Sequence, residues 1–107
     1  MIDAEAADAI IEQYQKHGWI LRRALLSAEG KQMLADKIGS GVSIVDSDVD
    51  AFWFSRQSNP KTEAWELRRL TGLPFALIAV LSTDADAEEI ESTLDQVVDE
   101  LREKTMA

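Results

Sequence analysis

The sequence of 107 residues contains no cysteine, which excludes disulfide bonds, thiolate metal sites and a thiol nucleophile. Its single histidine, His17, has no neighbour in sequence that would serve as a nucleophile or orienting acid, so we expect no enzyme built on it. No apolar run is long enough to span a membrane, and the N-terminal segment does not resemble a secretory signal. These absences favour a cytoplasmic protein without a membrane association or a cofactor.

The charge of the chain is strongly acidic and unevenly placed. The formal net charge is −9, and residues 84–104 alone carry nine acidic side chains against two basic ones. A net negative charge disfavours binding to nucleic acid, which is therefore not an expected partner. Residues 17–83 are close to neutral and contain five arginines, which makes this middle segment the candidate working surface.

Hydrophobic periodicity predicts three helices. Apolar residues at helical spacing indicate helices over residues 4–16 and 28–38, and the strongest pattern predicts a third over residues 86–104 with Asp86 as its cap. Residues 19–26 fit either a strand or a helix. We favour a strand because Gly18 precedes this stretch and Ser27 can cap the helix that follows.

Four further segments have the pattern of strands: residues 42–45, 50–56, 64–70 and 75–81, with a loop over residues 57–62. The last of these is uniformly apolar, which predicts a strand covered on both faces. Gly72 and Pro74 indicate a kink or an edge position before it. We expect one domain over residues 1–107, with residues 105–107 as a frayed tail.

The order of elements predicts an α+β domain with one mostly antiparallel sheet of four or five strands. A right-handed crossover from residues 19–26 to residues 42–45 would place the second and third helices on the same side, so helices should lie mainly on one face. This order resembles a ferredoxin-like fold that is missing its last strand and carries an additional N-terminal helix.

The uncovered face of this sheet carries the candidate site. Alternation along residues 50–56 places Phe52 and Phe54 on the face that the helices cover, so Trp53 falls on the open face. An indole beside guanidinium groups suits a protein interface, a phosphate or a carboxylate. Two alternatives stay open: the N-terminal helix packs over Trp53, or the arginines pair with acids on neighbouring strands. The candidate site residues are Trp53, Arg22, Arg56, Arg68 and Ser55.

Three aspartates, Asp46, Asp48 and Asp50, have a D-x-D-x-D spacing that could bind a hard cation. In a calcium loop of this kind, the positions of Ala51 and Gln57 would hold glycine and glutamate. Because both positions depart from that pattern, we interpret the segment as a turn and expect no metal.

Taken together, these features predict a small acidic, non-enzymatic protein-interaction domain that forms a homodimer through its sheet or binds another protein. The alternative is a binding module for an anionic small molecule with a phosphate or carboxylate group, using the arginine and tryptophan side chains. Two other hypotheses are a metal-dependent enzyme built on the three aspartates and a nucleic-acid mimic that presents residues 84–104 to a basic partner.

Overall fold

The computed structural model describes residues 3–39, 41–71 and 75–106, and the predicted kink at Gly72 and Pro74 lies outside these residues. Three α-helices and five strands follow one another as α1 (Ala4–Lys16), β1 (Ile20–Leu26), α2 (Ala28–Leu34), β2 (Ser43–Asp46), β3 (Ala51–Asn59), β4 (Thr62–Arg69), β5 (Ala76–Ser82) and α3 (Ala87–Met106). A single turn of 3-10 helix, Ala35–Lys37, follows α2. The predicted α+β class and the N-terminal helix are confirmed.

Polar side chains cap the three helices at positions that the sequence favours. The Asp3 carboxylate accepts a hydrogen bond from the Glu5 amide at the start of α1, at 2.9 Å. The Ser27 hydroxyl accepts one from Gly30 at the start of α2, and Asp86 accepts one from the Glu89 amide before α3. Each cap satisfies an amide that has no partner within its helix, and together they set where the helices begin.

The five strands form one sheet in the order β2-β1-β3-β4-β5. β1 and β2 are parallel, whereas the β1–β3, β3–β4 and β4–β5 pairs are antiparallel. The ferredoxin-like arrangement is not confirmed, because that fold separates its parallel strands by another strand, whereas β1 and β2 are direct neighbours. The sheet is therefore mixed, with one parallel pair at the β2 end.

The hairpin between β3 and β4 is tighter than the sequence indicates. The sequence predicts a loop over residues 57–62, whereas β3 continues to Asn59 and β4 begins at Thr62. The Asn59 side chain accepts hydrogen bonds from the amides of Lys61 and Thr62, at 2.8 and 3.0 Å. This local bonding closes a short turn, which polar residues alone do not distinguish from a longer loop.

Helices cover both faces of the sheet, so the prediction that they lie mainly on one face is wrong. Phe52 and Phe54 of β3 pack with residues of α1 and α2, and this side is called the α1 face below. Trp53, which alternates with them, packs with Leu94 of α3 on the opposite side, called the α3 face. Both faces of β3 are thus buried from Ala51 to Ser55, and its aromatic residues are divided between two cores.

Candidate functional site

Trp53 lies in the core of the α3 face, where only 1% of it is exposed. Its ring meets that of Trp65 edge to face, with 6.2 Å between centroids. The prediction that Trp53 lies on an uncovered face is therefore wrong. The physical reason is that α3 crosses the sheet on the side opposite α2, so Trp53, which points away from the two phenylalanines, packs against α3.

Ser55, the second candidate on that side of β3, is also buried. Its hydroxyl has no hydrogen-bond partner among the described residues. Ser55 pairs with Trp65 of β4 and with Ile20 of β1 in the register of the sheet. A buried hydroxyl between apolar neighbours cannot contact a ligand at the surface, so the burial of Ser55 separates it from any exposed arginine.

The three arginines of the candidate site do not share one surface. Arg22 sits at a bulge of β1 and places its guanidinium 5.5 Å from the Trp65 ring centroid, which belongs to the core of the α3 face. Arg56 and Arg68 instead lie on β3 and β4 beside residues of the α1 face. The structure thus brings two of the arginines to one face and leaves Arg22 apart.

Each arginine of the α1 face already has an intramolecular contact. The guanidinium of Arg56 lies 4.7 Å from the Trp19 ring centroid and donates to the His17 carbonyl at 2.9 Å. Arg68 donates to the carbonyl of Arg69 at 2.8 Å. These contacts hold the ends of α1 and β4, which is a structural use of the arginine side chains.

A polar cluster that the sequence does not predict lies between these arginines. Tyr14 of α1 stacks on Phe54 with 4.0 Å between ring centroids, and its hydroxyl donates a hydrogen bond to the Glu66 carboxylate of β4. Burial, assisted by Glu66, raises the pKa of Tyr14, and Arg68 opposes this shift. Tyr14 is therefore kept protonated, which makes it a hydrogen-bond donor and not a base.

The cleft beside this cluster has a volume of about 390 Å³ and is open to solvent. Its lining combines Tyr14 and Trp19 with side chains of opposite charge, Arg56 and Glu66. No sequence motif links these residues, since 52 positions separate Tyr14 from Glu66. They come together because α1 packs on the antiparallel β3–β4 hairpin.

The three aspartates diverge instead of forming one site. Asp46 forms an ion pair with Lys31, and Asp50 caps the start of α2. The hydrogen bond from Arg102 of α3 holds the pKa of Asp48 below its usual value. Within the described part of the chain, no three His, Asp or Glu side chains converge on a point that could hold a metal ion.

The large apolar side chains of the sheet with the highest exposed fraction lie on β5. Ile78 and Val80 are 61% and 62% exposed on the α1 face, beyond the part that α1 covers. The opposite side of β5 does pack on α3 through Leu81. The prediction that this strand is covered on both faces is wrong, because β5 forms the end of the sheet and has a helix on one side only.

The sequence signal for this surface is the same apolar run that predicts a strand covered on both faces. Residues 76–82 include no charged side chain, and β5 pairs with β4 without a bulge over its whole length. An apolar strand in the middle of a sheet and an apolar strand at its edge have the same composition. The strand order alone distinguishes them, and it places β5 at the edge.

In the part of the chain that the structure describes, no helix is both long and apolar enough to cross a membrane. Comparison of the chain with protein-family models, curated proteins and solved structures finds no match.

Proposed function

We propose that this chain is a non-enzymatic protein-interaction domain that associates with itself through the β5 side of its sheet. The observation that carries the proposal is the pair Ile78 and Val80, which are exposed on an edge strand without any charge. Edge strands present unpaired backbone groups, and proteins usually protect them with charges, proline, bulges or short length. β5 has seven residues and shows none of these protections in the described structure.

The other edge of the sheet supports this choice by contrast. β2 has only four residues, and its last residue, Asp46, forms an ion pair with Lys31. A short strand with a charge at its end offers few backbone groups and a polar border to an incoming strand. Of the two edges, β5 is therefore the better surface for strand addition.

The anionic small-molecule alternative has less support from the geometry. It needs the arginines to converge, whereas Arg22 lies apart from Arg56 and Arg68. Glu66 also lies between the two remaining arginines in the strand register, and it would repel an anion there. Self-association needs none of these side chains and uses a surface that is already exposed.

Sedimentation velocity over a range of concentrations tests the proposal. We expect the wild-type chain to dimerise in the micromolar range, because one strand pair is at the small end of specific interfaces. Val80→Lys should weaken association at least about 10-fold, since a lysine on an edge strand disfavours strand addition.

Ile44→Lys is the matched control, because Ile44 is an exposed apolar residue of the other edge strand, β2. It should leave the association constant unchanged. A wild-type chain that stays monomeric at all concentrations up to roughly 1 mM, or two lysine variants that weaken the dimer equally, would contradict the proposal.

A further inference from the structure

The hydrogen bonds of the β4–β5 ladder show which backbone groups of β5 point outwards. The Arg69 amide donates to the Phe75 carbonyl, and the Thr83 amide donates to the Lys61 carbonyl, both at 2.9 Å. Bonded pairs in an antiparallel ladder alternate with unbonded pairs. Between these two bonds, the register therefore directs the backbone amide and carbonyl groups of the odd-numbered β5 residues towards β4. The even-numbered residues present their amide and carbonyl groups to the outer edge: Ala76, Ile78, Val80 and Ser82.

The side chains of β5 have a near-palindromic order around Ala79. Ile78 and Val80, both β-branched and exposed, flank it on the α1 face. Leu77 and Leu81 are the next pair outwards, on the α3 face. Ala76 and Ser82, both small, end the strand. A strand with this order closely matches a reversed copy of itself in side-chain size, with Ile opposite Val and Ala opposite Ser as the inexact pairs.

We propose that the partner is a second copy of this chain, whose β5 pairs antiparallel with the first about a two-fold axis through Ala79. The inference rests on the proposed function and adds to it the partner strand and the register. A two-fold axis at this residue places Ile78 opposite Val80 of the second copy and Ala76 opposite Ser82 of the second copy. All four residues with outward backbone groups are then in bonded pairs, and the two sheets become one of ten strands.

Other registers use the strand less completely. An axis through Ile78 or Val80 would also pair even-numbered residues, but it would leave one outward-pointing residue at an end of each strand without a partner. A register that places even-numbered residues opposite odd-numbered ones would set outward-pointing backbone groups against inward-pointing ones. Such a register forms no ladder. The Ala79 axis alone pairs the full length of β5 and joins the exposed β-branched side chains across the interface.

The absence of cysteine from the chain allows a direct test by single substitutions. Ala79→Cys places two thiols at the axis, in an unbonded pair with Cα atoms about 4.5 Å apart, within the range for a disulfide. Ser82→Cys is the matched control on the same strand, because its two copies would be six residues apart along the ladder, about 20 Å. We expect mild oxidation to cross-link more than about half of Ala79→Cys, with at least a tenfold excess over Ser82→Cys.

Ile78→Cys and Val80→Cys report on shifted axes. If either cross-links faster than Ala79→Cys, the proposed register is wrong. If the wild-type chain sediments as a dimer and none of the four cysteine variants cross-links, self-association stands, but the β5 surface named in the proposed function is overturned together with the register. If the wild-type chain does not dimerise at all, the proposed function fails together with the register. These outcomes separate the two proposals.

Hydrogen exchange of the wild-type chain provides a second readout that needs no substitution. The amides of Ile78 and Val80 point outwards and should exchange at least about tenfold more slowly as the concentration rises through the dimerisation range. The Ala79 amide is bonded to β4 and should be protected at every concentration. A dimer in which the Ile78 and Val80 amides show no concentration dependence would overturn the proposed pairing.

Discussion

The two ends of the α1 face carry similar apolar side chains with opposite exposure. Phe52 and Phe54 on β3 are fully buried under α1 and α2, whereas Ile78 and Val80 on β5 are more than half exposed. The difference does not come from the residues, which are all strongly apolar. It comes from the helices, because two short ones on this face cover β1 and β3 and do not extend over β5. An apolar side chain is thus core at one end of a face and a surface for a partner at the other.

The polar cluster at Tyr14 marks the border between these two ends. Its hydroxyl ties α1 to Glu66 on β4, and its ring stacks on Phe54 on β3. Ile78 pairs with Glu66 in the register and is the first residue beyond that contact. This hydrogen bond fixes α1 over β4, and the helical cover of the α1 face ends between β4 and β5.

The largest expected effect comes from truncating a residue at the covered end of the α1 face, where Phe52 and Phe54 lie under α1 and α2. Phe54→Ala removes a ring that is 0% exposed, and it should lower the free energy of unfolding by about 3–5 kcal/mol. Ile78→Ala should cost less than about 1 kcal/mol in the monomer, because most of that side chain is already in water. Urea unfolding at a concentration below the dimerisation range measures both values. Equal losses for the two variants would contradict the division of this face.

Much of this organisation could be predicted from the sequence, and the main error has one cause. The helices over residues 4–16 and 86–104 agree with α1 and α3 to within two residues, because periodicity is a local property. Which face of the sheet a helix covers is not local. The aromatic residues at 52–54 indicate that both sides of β3 are apolar, and they do not indicate that α3 supplies the second cover. The misplacement of Trp53 follows from that gap.

The position of β5 could not be predicted for a related reason. Its uniform apolar composition suits a buried central strand, and the sequence does not state that the strand is last in the sheet. The polar cluster is equally hidden, since Tyr14 fits the apolar stripe of α1 and Glu66 fits a solvated position of β4. Their contact depends on the antiparallel β3–β4 register.

A proline pair on β5 tests the assignment of inward and outward backbone groups. Ala79→Pro removes an amide that bonds to the Trp65 carbonyl of β4, and it should cost about 1–3 kcal/mol of monomer stability. Val80→Pro removes an outward amide, which proline tolerates at an edge strand, so the monomer should change little. The same substitution removes two bonds from the proposed dimer and should weaken it about 10-fold. Urea unfolding and sedimentation measure the two effects, and a reversed order of monomer stabilities would show that the assignment is wrong.

Tyr14→Phe tests the border of the covered end. The loss of the hydrogen bond to Glu66 should lower the free energy of unfolding by about 1–2 kcal/mol near neutral pH. Because the folded-state pKa of Tyr14 is raised above its ordinary value of 10.0, folding favours the protonated tyrosine. The contribution is fully present below pH 10 and falls as the pH rises above it, since the unfolded chain then loses the proton first. Urea unfolding of both chains from pH 8 to 11 should show a shrinking difference above pH 10, whereas a difference that grows would contradict the assignment.

Ser55 offers the smallest effect, and it tests whether the buried part of β3 on the α3 face contains an unsatisfied polar group that lowers stability. The buried hydroxyl has no hydrogen-bond partner among the described residues, so Ser55→Ala should leave stability unchanged or raise it by up to about 1 kcal/mol. Ser58→Ala is the control on the same strand, because Ser58 is exposed and its hydroxyl contacts Thr62. The control should change stability by less than about 0.5 kcal/mol. A loss above about 1 kcal/mol for Ser55→Ala in urea unfolding would mean that the hydroxyl is hydrogen-bonded in solution, and that its burial on the α3 face carries no net cost.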